Sequence, residues 1–136
     1  FLDFCLLNNF LQFDTAIGYS NEKLIGEYLK KNKIKKDIKI TSKIPSMFSI
    51  LPNKKIEFII KCIKKILKNL NYDLDTILFH DQRDVLFVLN NYQIIKKIIV
   101  SNKIKNIGFS IYDSKYYEMI KKKLKKINWL FNYQLI

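Results

Sequence analysis

Apolar residues recur along the chain in two alternating spacings. Short segments that are apolar at every second position, or continuously apolar, predict β-strands, whereas longer segments with apolar residues three and four apart predict helices that bury one face. On this basis strands are predicted over residues 11–14, 38–43, 75–80, 104–109 and 127–131, and helices over residues 1–8, 21–31, 54–70, 84–100 and 114–125, with a possible break at Asn90-Asn91.

This regular alternation of strands and helices predicts an α/β fold with about five parallel strands. The segment over residues 75–80 supports it, because a nearly continuous apolar strand is typical of a parallel sheet that is covered on both faces. Right-handed crossovers place the carboxyl end of every strand on one rim of such a sheet. Functional residues are therefore expected at that rim.

Composition and charge exclude several classes of protein. Hydrophobic residues make up 49% of the 136 residues, which excludes intrinsic disorder, and three Gly and two Pro exclude a collagen-like or linker sequence. Cys5 and Cys62 are too few for a disulfide framework, which favours reduced thiols and a cytoplasmic location. No apolar run reaches the roughly 20 residues needed to span a bilayer, so no membrane partner is expected.

The net charge of +13 raises the alternative of a nucleic-acid-binding module. Arg83 is the only arginine among the 25 basic residues, however, and arginine is the residue preferred for base and bidentate phosphate contacts. The lysines are spread over all the predicted helices except the one over residues 1–8, as on solvent-facing surfaces. The amphipathic segment over residues 54–70 could also lie on a membrane, but packing against the sheet is the favoured interpretation.

Four reactive side chains are expected to meet at the rim. Asp14, Lys43 and His80 stand at the carboxyl ends of successive predicted strands, and Tyr19 follows in the first loop. A lysine ammonium near a phenol favours the phenolate, which makes tyrosine a usable proton donor, and an imidazole can orient a carbonyl oxygen. Each residue also has a structural alternative, because Asp often caps loops, His80 could be a bonded structural residue, and lysines and tyrosines are common in this chain.

These residues lie in motifs that resemble the aldo-keto reductase family. The first motif is Asp14-Thr15-Ala16, followed after five residues by Glu22-Lys23-Leu24-Ile25-Gly26, with Tyr19 at the position of the family's tyrosine. Three further motifs follow in the family's order, together with a strand-like segment over residues 127–132: Thr41-Ser42-Lys43, Leu78-Phe79-His80 and Ile107-Gly108-Phe109-Ser110.

The resemblance implies a TIM barrel and hydride transfer from NADPH, or less often NADH, to a small aldehyde or ketone. Tyr19 would be the general acid, Lys43 would make its phenol more acidic, Asp14 would pair with Lys43, and His80 would orient the substrate carbonyl. The nicotinamide cofactor would carry the redox chemistry. No metal ion is implied.

The resemblance also suggests residues that contact the cofactor. Ser110 would touch the nicotinamide carboxamide, whereas Ile111 replaces an asparagine that bonds this group in other members. Asn128 aligns with the family's glutamine on the next strand, with Gln134 as an alternative alignment.

The length predicts a partial barrel. A complete (β/α)8 barrel needs about 250 residues, and this chain supplies about five strands, so residues 1–136 are expected to form an incomplete domain that lacks the first strand and the last ones. A fragment with impaired activity is therefore expected. The alternative is a barrel remnant without catalysis that senses a nucleotide or binds a partner.

Overall fold

A single parallel sheet forms the centre of the computed structural model, which describes residues 1–34 and 37–123 and the backbone of residues 132–133. Each strand pairs in parallel with the next one along the chain, so the spatial order equals the sequence order. The strands are β1 (Gln12–Asp14), β2 (Lys39–Ile44), β3 (Thr76–Phe79), β4 (Asn106–Ile111) and β5 (Asn132–Tyr133).

Helices connect the strands, as parallel neighbours require. They are α1 (Leu2–Leu7), α2 (Glu22–Lys31), α3 (Lys55–Leu70), α4 (Val85–Asn90), α5 (Tyr92–Ser101) and α6 (Ser114–Lys123), and three short 3₁₀ helices cover Ile17–Tyr19, Pro52–Lys54 and Gln82–Asp84. The predicted alternation of parallel strands and helices is thus confirmed. In the part of the chain that the structure describes, no helix is long and apolar enough to cross a bilayer.

The two faces of the sheet differ because side chains alternate along each strand. One face packs into the hydrophobic core through Ile40, Ile44, Phe79 and Phe109, which are all fully buried. The α3 helix covers this face with its own apolar stripe, whose buried members are Ile59, Cys62, Ile63, Ile66 and Leu70. By the same alternation, Asp14, Lys43 and Ser110 belong to the opposite face.

The structure divides the predicted helix over residues 84–100 into α4 and α5. At this break the Phe87 carbonyl oxygen accepts two hydrogen bonds from Asn91, one from its backbone N–H at 3.1 Å and one from its side-chain amide at 2.9 Å. The β4 strand begins two residues later than predicted, after Lys103 has taken a left-handed conformation with φ 58°. The predicted strand over residues 127–131 lies outside the described residues, and β4 pairs with Asn132–Tyr133 on the side away from β3.

Candidate active site

The carboxyl ends of β1 and β2 bring Asp14 and Lys43 together. The Lys43 ammonium donates a hydrogen bond to the Asp14 carboxylate and a second one to the Thr15 carbonyl oxygen over 3.2 Å. Lys43 is only 2% exposed, and its burial lowers the pKa of the ammonium. The strand ends therefore hold a buried cation beside an anion that reaches solvent.

Tyr19 lies next to Lys43. Its ring is held on the 3₁₀ helix Ile17–Tyr19, where the Tyr19 N–H donates to the Ala16 carbonyl oxygen over 2.9 Å. The Lys43 Nζ atom is 5.3 Å from the centre of the Tyr19 ring, within the range of cation–π attraction. Because Tyr19 is 51% exposed, its side chain is open to a ligand from the rim.

His80 completes the group from the end of β3. Its backbone N–H donates to the Ile44 carbonyl oxygen over 3.0 Å, and its ring stands perpendicular to the Tyr19 ring with 6.2 Å between centroids. Burial, and then the nearby Lys43 charge, lower the pKa of the imidazole, whereas Asp81 raises it. The imidazole makes no hydrogen bond to any other residue that the structure describes, so both ring nitrogens remain available to a ligand.

A cleft of about 390 Å³ opens beside His80. It is lined by the loops that follow β2, β3 and β4, through Pro45, Ser46, His80, Asp81, Gln82, Arg83 and Tyr112. Apart from His80, none of these residues was singled out from the sequence as a site residue. The signal that could have found them is that Asp81, Gln82 and Arg83 directly follow the single histidine.

Asp81 joins its own loop to the loop after β2. Its carboxylate accepts hydrogen bonds from the Ser46 hydroxyl over 2.6 Å and from the Arg83 guanidinium, with Nη2 at 2.6 Å and Nε at 3.0 Å. The Arg83 contact, followed by the Ser46 hydroxyl and the Arg83 backbone N–H, holds the pKa of Asp81 far below its usual range despite its burial. Asp81 is therefore a carboxylate at neutral pH.

Two further side chains after β3, those of Gln82 and Asp84, make hydrogen bonds to the neighbouring loops. The Gln82 side-chain oxygen accepts hydrogen bonds from the backbone N–H groups of Tyr112, over 2.9 Å, and Asp113, over 3.0 Å. The Asp84 carboxylate accepts from the Met47 N–H over 2.8 Å, and burial raises the pKa of this group. The loop after β3 thus connects both neighbouring loops of the rim.

Several residues of the first motif, Asp14 to Gly26, have structural roles in addition to the proposed chemical ones. Glu22, which is 1% exposed, accepts a hydrogen bond over 2.6 Å from the Ser42 hydroxyl, next to Lys43 in β2. The Thr15 hydroxyl donates to the Asn21 side chain just before α2. Gly26 allows α2 to approach α3, because a Cβ atom at this position would lie 2.0 Å from the Leu70 carbonyl oxygen. These contacts fix β1, β2 and α2 around the site.

The candidate cofactor residues lie partly within the described residues. Ser110 is at the rim end of β4, 4% exposed, and its side chain makes no hydrogen bond to another described residue. Ile111 belongs to the hydrophobic core, which explains an aliphatic residue at this position. Asn128 and the alternative Gln134 lie outside the described residues.

The arrangement combines an exposed phenol, a buried ammonium with its carboxylate and an imidazole that makes no hydrogen bond to another described residue. Such a set can donate a proton to a carbonyl oxygen and hold that oxygen in place. Among the described residues there is no group of three or more His, Cys, Asp or Glu side chains that could hold a metal ion.

Sequence comparison identifies the family. A sequence model of the aldo/keto reductase family matches residues 2–134, so the chain belongs to this family. No match is found among curated protein sequences.

Solved structures of aldo-keto reductases share the fold. The chain is similar to the aldo-keto reductase MGS-M4 from a Medee basin deep-sea metagenome library, at 23% identity and a TM-score of 0.68 over 91% of this chain and 43% of that one. It is similar to an aldo/keto reductase from Brucella melitensis, at 23% identity and a TM-score of 0.67 over 92% and 48%. A third is the thermostable aldo-keto reductase Tm1743 in complex with the inhibitor epalrestat, at 22% identity and a TM-score of 0.64 over 89% and 43%.

The chain thus spans less than half the length of the structures that it matches. The five parallel strands and the helices of its described residues form part of a TIM barrel.

Proposed function

We propose that this chain carries the proton-donating half of an active site that reduces a small aldehyde or ketone with NADPH, or less often NADH. The observation that carries the proposal is the convergence of Tyr19, Lys43 and His80 at one rim of the sheet. Lys43 lies 5.3 Å from the Tyr19 ring centre, and the Tyr19 and His80 rings are 6.2 Å apart. Family membership supports the same reaction class.

Each side chain has a role in the proposed reaction. The Tyr19 hydroxyl donates its proton to the carbonyl oxygen as that oxygen gains negative charge. The Lys43 ammonium stabilises the resulting phenolate, and Asp14 keeps the ammonium in place through their hydrogen bond. His80, whose lowered pKa favours the neutral imidazole, donates a hydrogen bond that orients the carbonyl oxygen.

The described residues fit a nicotinamide cofactor on the same face of the sheet. When bound, this cofactor would supply the hydride. The Ser110 hydroxyl lies at the rim and makes no hydrogen bond to another described residue, so it is available to bond the nicotinamide carboxamide. We assign the second amide contact to Asn128 by alignment, with Gln134 as the alternative.

We further propose that the 136-residue chain, an incomplete barrel domain, binds NADPH weakly on its own. The matched structures are about twice as long, and a chain that covers 43–48% of such a structure supplies only part of its surface. A barrel remnant without turnover is the second candidate. The small share of the matched structures that the chain covers favours it, because part of an active site would be missing. We place either form in the cytoplasm, consistent with the free buried thiols of Cys5 and Cys62.

NADPH oxidation with a panel of small aldehydes tests the proposed reaction. We expect slow turnover by the chain, and a loss of about 10²–10⁴-fold in rate for Tyr19→Phe because the general acid is removed. Tyr28→Phe is the matched control, since the Tyr28 hydroxyl contacts Asp3 on the outer side of the molecule. Fluorescence titration with NADPH measures cofactor binding in parallel.

The outcomes separate the two candidates. An unchanged rate in Tyr19→Phe contradicts the assignment of Tyr19 as the acid. Absence of turnover together with measurable NADPH binding favours the remnant that only senses a nucleotide. Tight NADPH binding contradicts the proposed weakness of the isolated chain.

A further inference from the structure

Arg83 and Asp81 form an ion pair in the loop that begins directly after His80. The guanidinium reaches both carboxylate oxygens of Asp81, with Nε 3.0 Å from each oxygen and Nη2 2.6 Å from Oδ2. The backbone N–H of Arg83 adds a hydrogen bond to Oδ1 over 2.9 Å. This two-point geometry is the strongest form of a carboxylate–guanidinium contact.

The Asp81 carboxylate is saturated by these contacts. A carboxylate accepts about four hydrogen bonds, and Oδ2 also accepts one from the Ser46 hydroxyl over 2.6 Å. The Asp81 side chain is 14% exposed, so water does not readily replace a lost partner. Arg83 is itself fixed by its position 4.3 Å from the centre of the Phe48 ring.

His80 is the neighbouring side chain to which a free Asp81 carboxylate could bond. A histidine beside an unpaired carboxylate acquires a hydrogen-bond partner and a charge that favours the imidazolium. Charged and titratable groups from several elements surround the imidazole. Lys43 comes from β2 and is paired with Asp14, and Tyr19 comes from the loop after β1. Asp81 and Arg83 come from the loop of His80 itself, and Tyr112, after β4, lines the same cleft.

We propose that Arg83 is a positioning residue for His80: by engaging both oxygens of Asp81, it keeps this carboxylate from becoming the hydrogen-bond partner of the imidazole. His80 then stays neutral and open to the cleft. The proposal rests on the role proposed above for His80, because a carboxylate that accepts the single N–H of the neutral imidazole leaves no donor for a substrate carbonyl. Its test, however, reads His80 directly and requires neither cofactor nor turnover.

The single histidine makes the test direct. An NMR titration of the ring protons of His80 gives its midpoint in the full chain and in the variants Arg83→Gln, Arg83→Lys, Asp81→Asn and Asp81→Asn/Arg83→Gln. We expect the midpoint to rise in Arg83→Gln, because Asp81 then keeps only the bonds from the Ser46 hydroxyl and from the backbone N–H of residue 83, and its remaining lone pairs and its charge become available to the imidazole. Arg83→Lys keeps the charge but not the two-point contact, so we expect a smaller rise.

The double variant separates the proposed mechanism from a plain charge effect. If Arg83 acts through Asp81, the Arg83→Gln change no longer shifts the midpoint once Asp81 is asparagine. An equal rise in both backgrounds shows direct repulsion between Arg83 and His80 and overturns the proposal. An unchanged midpoint in Arg83→Gln overturns it as well.

Two controls complete the experiment. Lys105→Gln removes a cation whose Nζ atom is 3.8 Å from Asp75, before the start of β4 and away from the rim, and we expect no shift of the His80 midpoint. If Arg83→Gln does not fold, Arg83→Lys carries the test, and a midpoint equal to that of the original chain overturns the proposal. If the NMR midpoints shift as expected but the chain does not reduce aldehydes, the proposed function is contradicted and the role of Arg83 is not.

Discussion

The Lys43 ammonium and the Asp14 carboxylate form an ion pair that connects β2 to β1 at the rim of the sheet. The two partners are unequal, since the Lys43 side chain is 3% exposed and the Asp14 side chain is 40% exposed. Lys43 therefore depends on this carboxylate and on the Thr15 carbonyl oxygen for its hydrogen bonds, whereas Asp14 can also be hydrated. This inequality means that Asp14 keeps the ammonium charged at a position where burial lowers its pKa.

We expect Asp14→Asn to destabilise the chain. A hydrogen bond to a charged group contributes about 1.5–3 kcal/mol, and the lower end applies because Asp14 is partly exposed. Urea unfolding measures the loss. Glu27→Gln is the control, because its pair with Lys23 is exposed on both sides, at 3.7 Å, and its loss should leave the free energy of unfolding nearly unchanged. Equal stability of Asp14→Asn and the original chain would contradict the dependence of Lys43 on Asp14.

The sequence predicts the strand ends better than the loops. Alternation along a strand places Asp14 and Lys43 on one face, and the strand order brings them to one rim, so their meeting can be anticipated. The hydrogen bonds of Asp81 and Gln82 cannot, because they depend on loop conformations that no periodic pattern encodes. The strand over residues 127–131 stays a prediction because it lies outside the described residues, and the pairing of Asn132–Tyr133 with β4 was not anticipated from the sequence.

Gly26→Ala is expected to destabilise the packing of α2 against α3. A Cβ atom at position 26 would lie 2.0 Å from the Leu70 carbonyl oxygen and 2.7 Å from that of Asn69. These are backbone atoms, so the two helices must separate, at a typical overpacking cost of about 1–3 kcal/mol. The midpoint and free energy of urea unfolding report this cost.

Gly18→Ala is the matched control for this substitution. No atom lies within 4 Å of a Cβ placed at position 18, so the methyl group meets open space. We expect its free energy of unfolding to equal or slightly exceed that of the original chain. A similar loss in both variants would show that glycine at position 26 is not required by close helix packing.

Acidification should destabilise the chain through His80. Burial and Lys43 lower the pKa of the imidazole below its ordinary value of 6.5, so the unfolded chain binds the proton more tightly. The free energy of unfolding therefore decreases as the pH falls from 6.5 through the lower folded pKa, and the contribution of His80 is fully present only above 6.5.

Urea unfolding at a series of pH values checks this dependence. His80→Gln cannot titrate, and we expect it to weaken the decline between pH 6.5 and about pH 5, above the range in which most carboxylates titrate. A decline of equal steepness in both proteins would assign it to other groups.

Cys62 should resist thiol reagents in the folded chain. Burial, which outweighs the opposing charge of Lys65, raises the pKa of this thiol to about 11. At pH 8 only about one molecule in a thousand then carries the reactive thiolate, against roughly a quarter for an ordinary cysteine. In a Cys5→Ala background, we expect slow reaction with a disulfide reagent in buffer and fast reaction in urea, followed by absorbance. Equally fast reaction of the folded chain would show that α3 does not protect Cys62. It would also show that α3 packs on the sheet more loosely than the burial of Ile59 and Ile63 indicates.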